Sequence, residues 1–127
     1  MIEQLVSFDT AKLARQKRFN IGYESYNNIG QLNAFGMAGG YYDYSDKSFE
    51  GNTWAAPTQS LLQKWLREVH KIHIVIGLDE NGYALTLEED CDDLEDREVT
   101  KFKYYSVYNT YELALEAGLI EGLKLIK

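Results

Sequence analysis

The chain has one cysteine, one proline and no apolar run approaching the ~18 residues that a membrane-spanning helix requires. Its lone Cys91 cannot close an intramolecular disulfide and suits a reducing compartment, so a cytoplasmic protein is expected. Met1 is followed by Glu3, Gln4 and Asp9, with no basic or apolar leader region, so no signal peptide is expected. Bases are also scarce: 13 Lys and Arg against 20 Asp and Glu leave a net charge of -7. That sign opposes phosphate backbones and anionic lipid, so neither nucleic acid nor membrane is an expected partner. There is no Walker loop, no dinucleotide fingerprint and no Ser/His/Asp order, and Met37-Ala38-Gly39-Gly40 does not match a phosphate loop. Those absences point away from nucleotide chemistry and acyl transfer.

What is present is ordinary globular composition, with 45% hydrophobic and 26% charged residues. A length of 127 residues fits one domain, or two small lobes, with one real core. Charge is unevenly spread. Residues 1–71 carry eight bases and seven acids, whereas residues 72–127 carry five bases and 13 acids. Ten of those acids fall between Asp79 and Glu98, where Arg97 is the only base.

Local patterns predict the elements. Ser7 or Asp9 can cap a first helix over Thr10–Arg18, with a thin apolar stripe of Phe8, Ala11 and Ala14. Residues 20–53 are rich in Tyr, Gly and Asn and read as a hairpin-like insertion. It has strands near 21–26 and 31–36 around an Asn27-Asn28-Ile29-Gly30 turn, a break at Met37–Gly40, and a short strand at Tyr41–Tyr44. Pro57 suits the first turn of a second helix. Its apolar face is expected to be Leu61, Trp65 and Val69 with Leu62 and Leu66 alongside, and Lys64, Arg67 and Lys71 form a basic stripe. Trp54 reads as a lid on that helix. Ile72–Leu78 and Tyr83–Leu87 flank Asp79-Glu80-Asn81-Gly82, a strong hairpin signal. Lys101–Tyr108 reads as a third strand, with Phe102, Tyr104 and Ser106 on one face. Asn109 and Glu112 form a capping-box-like pair for a last helix with a Leu115, Leu119, Leu123 stripe. Ala114, Gly118 and Gly122 repeat beside that stripe; glycine costs about 1 kcal/mol inside a helix, so close approach to the sheet is the expected return.

The order helix, three antiparallel strands, helix over 57–126 is the topology of double-stranded-RNA-binding domains. The likeness stops at topology. Where those domains carry a basic cluster, this chain has Tyr111-Glu112-Leu113-Ala114, so RNA binding is rejected on charge.

Three stretches carry a different likeness: Val6–Ala14, the block Ala56-Pro57-Thr58-Gln59-Ser60-Leu61-Leu62-Gln63-Lys64-Trp65-Leu66-Arg67-Glu68, and Thr110–Leu119. In these the chain resembles a group of short uncharacterised proteins of Bacteroides-type bacteria and their phages or mobile elements. The group has no assigned activity, and the resemblance implies only a cytosolic, phage-borne or bacterial accessory protein.

Each chemical constellation has a plainer reading beside it. His70 and His73 straddle a helix-to-strand junction, poor geometry for two metal ligands, and no third ligand has diagnostic spacing. A hydrolase using either imidazole with a carboxylate is the weakest alternative. Cys91 sits between Asp90 and Asp92, which disfavour the reactive thiolate. The acids of Glu88–Glu98 lack the spacing and central glycine of a calcium loop, and acids crowded in one loop do not make a glycosidase cleft. They read as a solvated loop, or as an anionic patch for a basic surface. Tyr-rich segments build adaptable contact surfaces, although tyrosines in short strands also simply pack on a core.

The expectation is therefore an α+β fold: a small antiparallel sheet packed by helices, in the order α-(ββ)-α-β-β-β-α, as a single domain over 1–127. Its expected role is a non-enzymatic cytoplasmic interaction protein without cofactor or metal. Glu88, Glu89, Asp90, Asp92, Asp93, Glu95 and Asp96 would bind a basic protein partner. The alternative is a small-ligand or carbohydrate site formed by Tyr41, Tyr42, Tyr44 and Trp54. A homodimer would pair the basic stripe with the acidic loop across a two-fold axis.

Overall fold

In the computed structural model, residues 4–22, 24–27, 29–32, 42–43, 53–89 and 100–126 are described, with backbone alone at Glu24, Tyr42, Asp43 and 100–105. The architecture is α+β, with small antiparallel sheets and helices packed on strands. The elements are α1 (Phe8–Gln16), β1 (Ile21–Gly22), β2 (Glu24–Tyr26), β3 (Tyr42–Asp43), β4 (Trp54–Ala56), α2 (Gln59–His70), β5 (Ile72–Asp79), β6 (Gly82–Glu89), β7 (Thr100–Tyr108) and α3 (Tyr111–Lys124). They divide into two compact units, Met1–Gln59 and Ser60–Lys127.

In the first unit, Ser7 caps α1: its hydroxyl accepts from the Thr10 amide at 3.3 Å, one of the expected caps. The helix ends two residues earlier than its composition indicates, because Arg18 adopts a left-handed conformation with φ 74°. Buried alanines on α1 (Ala11, Ala14) and β4 (Ala55, Ala56) let these two neighbours approach closely. Short ladders pair β1 with β3 and β2 with β4. The turn after β2 is present: Asn27 Oδ1 accepts from the Ile29 and Gln31 amides, and Gly30 has φ 82°. Tyr26 bridges Leu32, but β2 finds its ladder partner in β4. Residues 33–36 and the Met37–Gly40 break lie outside the described residues. Pro57 precedes α2 instead of opening it. It is buried, and its carbonyl accepts from the Val6 amide at 2.9 Å, so backbone pairing with the segment at Leu5 holds residues 57–58 extended.

The second unit is built on the β5-β6-β7 sheet. Its hairpin is as expected, although the loop is Glu80-Asn81 and only Gly82 takes positive φ, at 144°. A side chain at Gly82 would collide with the Tyr108 carbonyl oxygen. Register places Ile72, Ile74, Ile76 and Leu78 in rows with Glu89, Leu87, Leu85 and Tyr83. On β7, Ser106 and Phe102 continue two of these rows, and the register shifts between them. Helix α3 covers this face with buried Leu115, Leu119 and Leu123. Its N-cap is Thr110, whose hydroxyl accepts from the Leu113 amide at 3.1 Å. Asn109, the expected cap, therefore sits one residue outside. On α2 the core stripe is Leu62 and Leu66, both fully buried; Val69 is 58% exposed and Leu61 and Trp65 are half-exposed. Two adjacent apolar stripes shared the helical period, and the neighbours, including Leu66 against Gly122 of α3, chose between them.

The glycines of α3 separate into two cases. A β-carbon at Gly118 would lie 2.7 Å from Ile74 Cγ2 and 2.8 Å from Leu85 Cδ1, whereas at Gly122 the nearest atoms are at 3.3 and 3.4 Å. Overpacking costs about 1–3 kcal/mol and Gly→Ala in a helix returns about 1 kcal/mol. Gly118→Ala is therefore expected to lower the melting temperature by roughly 4 °C, and Gly122→Ala to leave it unchanged or raise it slightly. Thermal denaturation of both variants checks the pair; equal shifts would mean that α3 is not seated on Ile74 and Leu85.

Candidate functional site

The acidic candidate begins where the sheet ends. Strand β6 passes from buried Leu87 to half-buried Glu88 and Glu89. Because side chains alternate along a strand, Glu89 stands in the row of Ile72 on the α3 side and Glu88 on the opposite face. Glu88 lies between the positions of His73 on β5 and Lys101 on β7. Directly opposed residues in such ladders have β-carbons about 4.5–5.5 Å apart. Neither Glu88 nor Glu89 forms an ion pair among the described residues. The connection that follows leaves and returns at the Glu89–Thr100 pair. Asp90, Cys91, Asp92, Asp93, Glu95 and Asp96 lie outside the described residues.

The basic stripe of α2 is solvent-facing. Lys64 and Arg67 are exposed and form no ion pair among the described residues, and Lys71 donates to the Glu68 carbonyl at 3.3 Å. Lys71 closes α2 in a left-handed conformation, φ 59°, which turns the chain directly into β5. The stripe and the acidic connection therefore belong to one end of the sheet: Lys71 adjoins Ile72, whose partner is Glu89.

The two histidines are not brought together as a site. The His70 ring meets Trp65 edge-on at 4.6 Å, and desolvation there lowers its pKa below the ordinary imidazole value. His73 points from β5 to the face shared with Glu88. Among the described residues no three His, Cys, Asp or Glu side chains could hold a metal ion.

The aromatic alternative is only partly reached. Tyr41 and Tyr44 lie outside the described residues, and the Tyr42 backbone pairs with Gly22. Trp54 is described. Its ring meets Phe8 edge-on at 5.5 Å, and the Arg15 guanidinium lies 5.3 Å from its centroid while donating to the Thr53 carbonyl. Tyr26, which composition did not single out, completes this cluster: its ring is 5.5 Å from Phe8 and its hydroxyl donates to the Val6 carbonyl at 2.6 Å. Cross-strand pairing of Tyr26 with Trp54 is what joins them, and that pairing had no local signal.

Comparison with protein-family models, with curated proteins and with solved structures gave no significant match. No helix among the described residues is long and apolar enough to cross a membrane.

The His70 environment carries a pH dependence. The unfolded chain has the higher His70 pKa, about 6.5, and so binds more protons on the acid side. The stability that neutral His70 supports is full above that value and is lost as pH falls through the lower folded pKa. His70→Phe keeps a ring against Trp65 without the titration. Urea midpoints at pH 7.5 and pH 5 are expected to fall further in the wild type than in this variant. Equal falls would remove His70 from the account.

Proposed function

We propose that the protein acts by binding, without catalysis, as an accessory protein of the bacterial cytoplasm. The partner is a basic protein, met by the acidic connection of Glu88, Glu89, Asp90, Asp92, Asp93, Glu95 and Asp96. One observation carries this reading. Eight acids and a single base fall between Glu88 and Glu98, and the first two stand at a sheet end without ion-pair partners among the described residues. Like charges brought to one place repel one another, and a cationic surface relieves that repulsion. Such a patch accelerates encounter and sets specificity more than it sets affinity, and salt screens it over about 8 Å at physiological ionic strength. The exposed Lys64 and Arg67 give the same end of the unit a cationic neighbour, which would fix the orientation of a partner carrying both signs.

A tagged chain incubated with bacterial lysate at low and high salt tests the reading. The expected result is a stoichiometric partner of basic composition at low salt, lost at high salt. Combined Asp90→Asn, Asp92→Asn, Asp93→Asn and Asp96→Asn substitution is expected to slow association about ten-fold or more at low salt, measured by surface binding kinetics. Unchanged kinetics in that variant would reject the acidic connection as the docking element.

A further inference from the structure

The opposite end of the same sheet carries a surface with a different chemistry. Leu78, Tyr83 and Tyr108 occupy one row across β5, β6 and β7, on the face that α3 covers further along. Tyr111 opens α3 beside them, its ring 6.2 Å from that of Tyr83 and nearly perpendicular to it. Helix α3 does not bury this row: Leu78 is 84% exposed, Tyr111 43% and Leu113 53%, and the first buried residue of the helix is Ala114. Asp79, Glu80 and Glu112 rim it, the last two exposed. No Lys or Arg occurs between Lys71 and Arg97, or between Lys103 and Lys124, so both flanking segments are free of cations.

We infer that this tyrosine row is a docking surface for a Lys- or Arg-bearing segment of a protein partner. The inference rests on the reading of a basic partner and adds a second, aromatic point of contact, about 20 Å along β6 from Glu89. Tyrosine faces attract guanidinium and ammonium groups through the ring quadrupole. Carboxylates at the rim pair with the same groups, and an exposed leucine packs on their methylene stems. A hydrophobic segment would leave Asp79, Glu80 and Glu112 facing apolar surface, and an acidic one would meet like charge. A cation is what all of the rim and all of the row accommodate, and the chain supplies none there itself.

The test is a titration of the full ¹⁵N-labelled chain with a capped octapeptide of alternating Arg and Ala, followed by amide shifts, with the Gln-for-Arg peptide as reference. The expected result is saturable shifts at Leu78, Tyr83, Tyr108 and Tyr111 with the Arg peptide only. Tyr111→Leu keeps apolar bulk without the ring and is expected to weaken binding about three-fold, while Tyr111→Phe retains it. Leu78→Ser changes an exposed position and serves as a second variant that leaves the core intact. Those shifts should survive in the variant with Asp90, Asp92, Asp93 and Asp96 neutralised. Shifts confined to 88–100 would overturn the tyrosine row and leave the acidic connection standing. Shifts at the row alone would support it against the acidic connection, and shifts nowhere would overturn both. Concentration-dependent shifts at the row without peptide, lost in Leu78→Ser, would mean that a second copy of the chain is the occupant and would overturn the inference.

Discussion

The second unit depends on the contact of α3 with the sheet at Gly118. There the helix backbone lies close enough to Ile74 and Leu85 that even a methyl group would intrude. Interiors pack at crystal density, so the separation of one helix from one sheet is set at its tightest point. Once α3 is seated there, Leu115, Leu119 and Leu123 are buried. Gly122 then comes within reach of Leu66 and Ile72, and α2 takes its orientation from that contact.

That seating also divides the face of the sheet into covered and open parts. A helix of 14 residues lies over the rows of Ile74, Leu85 and Leu87 and begins only at Tyr111. The row of Leu78, Tyr83 and Tyr108 is left at the margin, and its exposure follows from where Thr110 caps the helix. At the far end, β6 delivers Glu88 and Glu89 beyond the last buried leucine. The two candidate surfaces of this unit are thus the two ends that α3 does not occupy. One is acidic by accumulation of carboxylates, the other by absence of cations beside aromatic rings. Both select for positive charge, by different physics.

The first unit is organised differently. Its ladders are two or three residues long, too short to be independently stable. Side chains join them: Asn20 Oδ1 accepts from the Ala55 amide at 2.7 Å, and the Tyr26 hydroxyl donates to the Val6 carbonyl. Phe8, Tyr26 and Trp54 then form a small aromatic cluster on which Lys12 and Arg15 rest. Here the cations of α1 already occupy the rings, in contrast to the tyrosine row of the second unit.

The sequence by itself determined whatever depends on near neighbours along the chain. Ser7 before α1, Gly82 after Asn81, the β-branched run of β5 and the four-residue repeat of Ala114, Gly118 and Gly122 each act within one or two turns of backbone. Element order and the α+β class followed from them, as did the location of charge. Tertiary structure decided what periodicity leaves degenerate. Leu61-Leu62 and Trp65-Leu66 offer two stripes at equal spacing, and only packing against other elements sends Leu62 and Leu66 inward. Composition drew attention to Tyr41, Tyr42 and Tyr44, whereas Tyr26 meets Trp54, and Tyr83 meets Tyr111, across 28 residues each. Such contacts arise from strand pairing and helix seating, which are properties of the whole chain and of no single window within it.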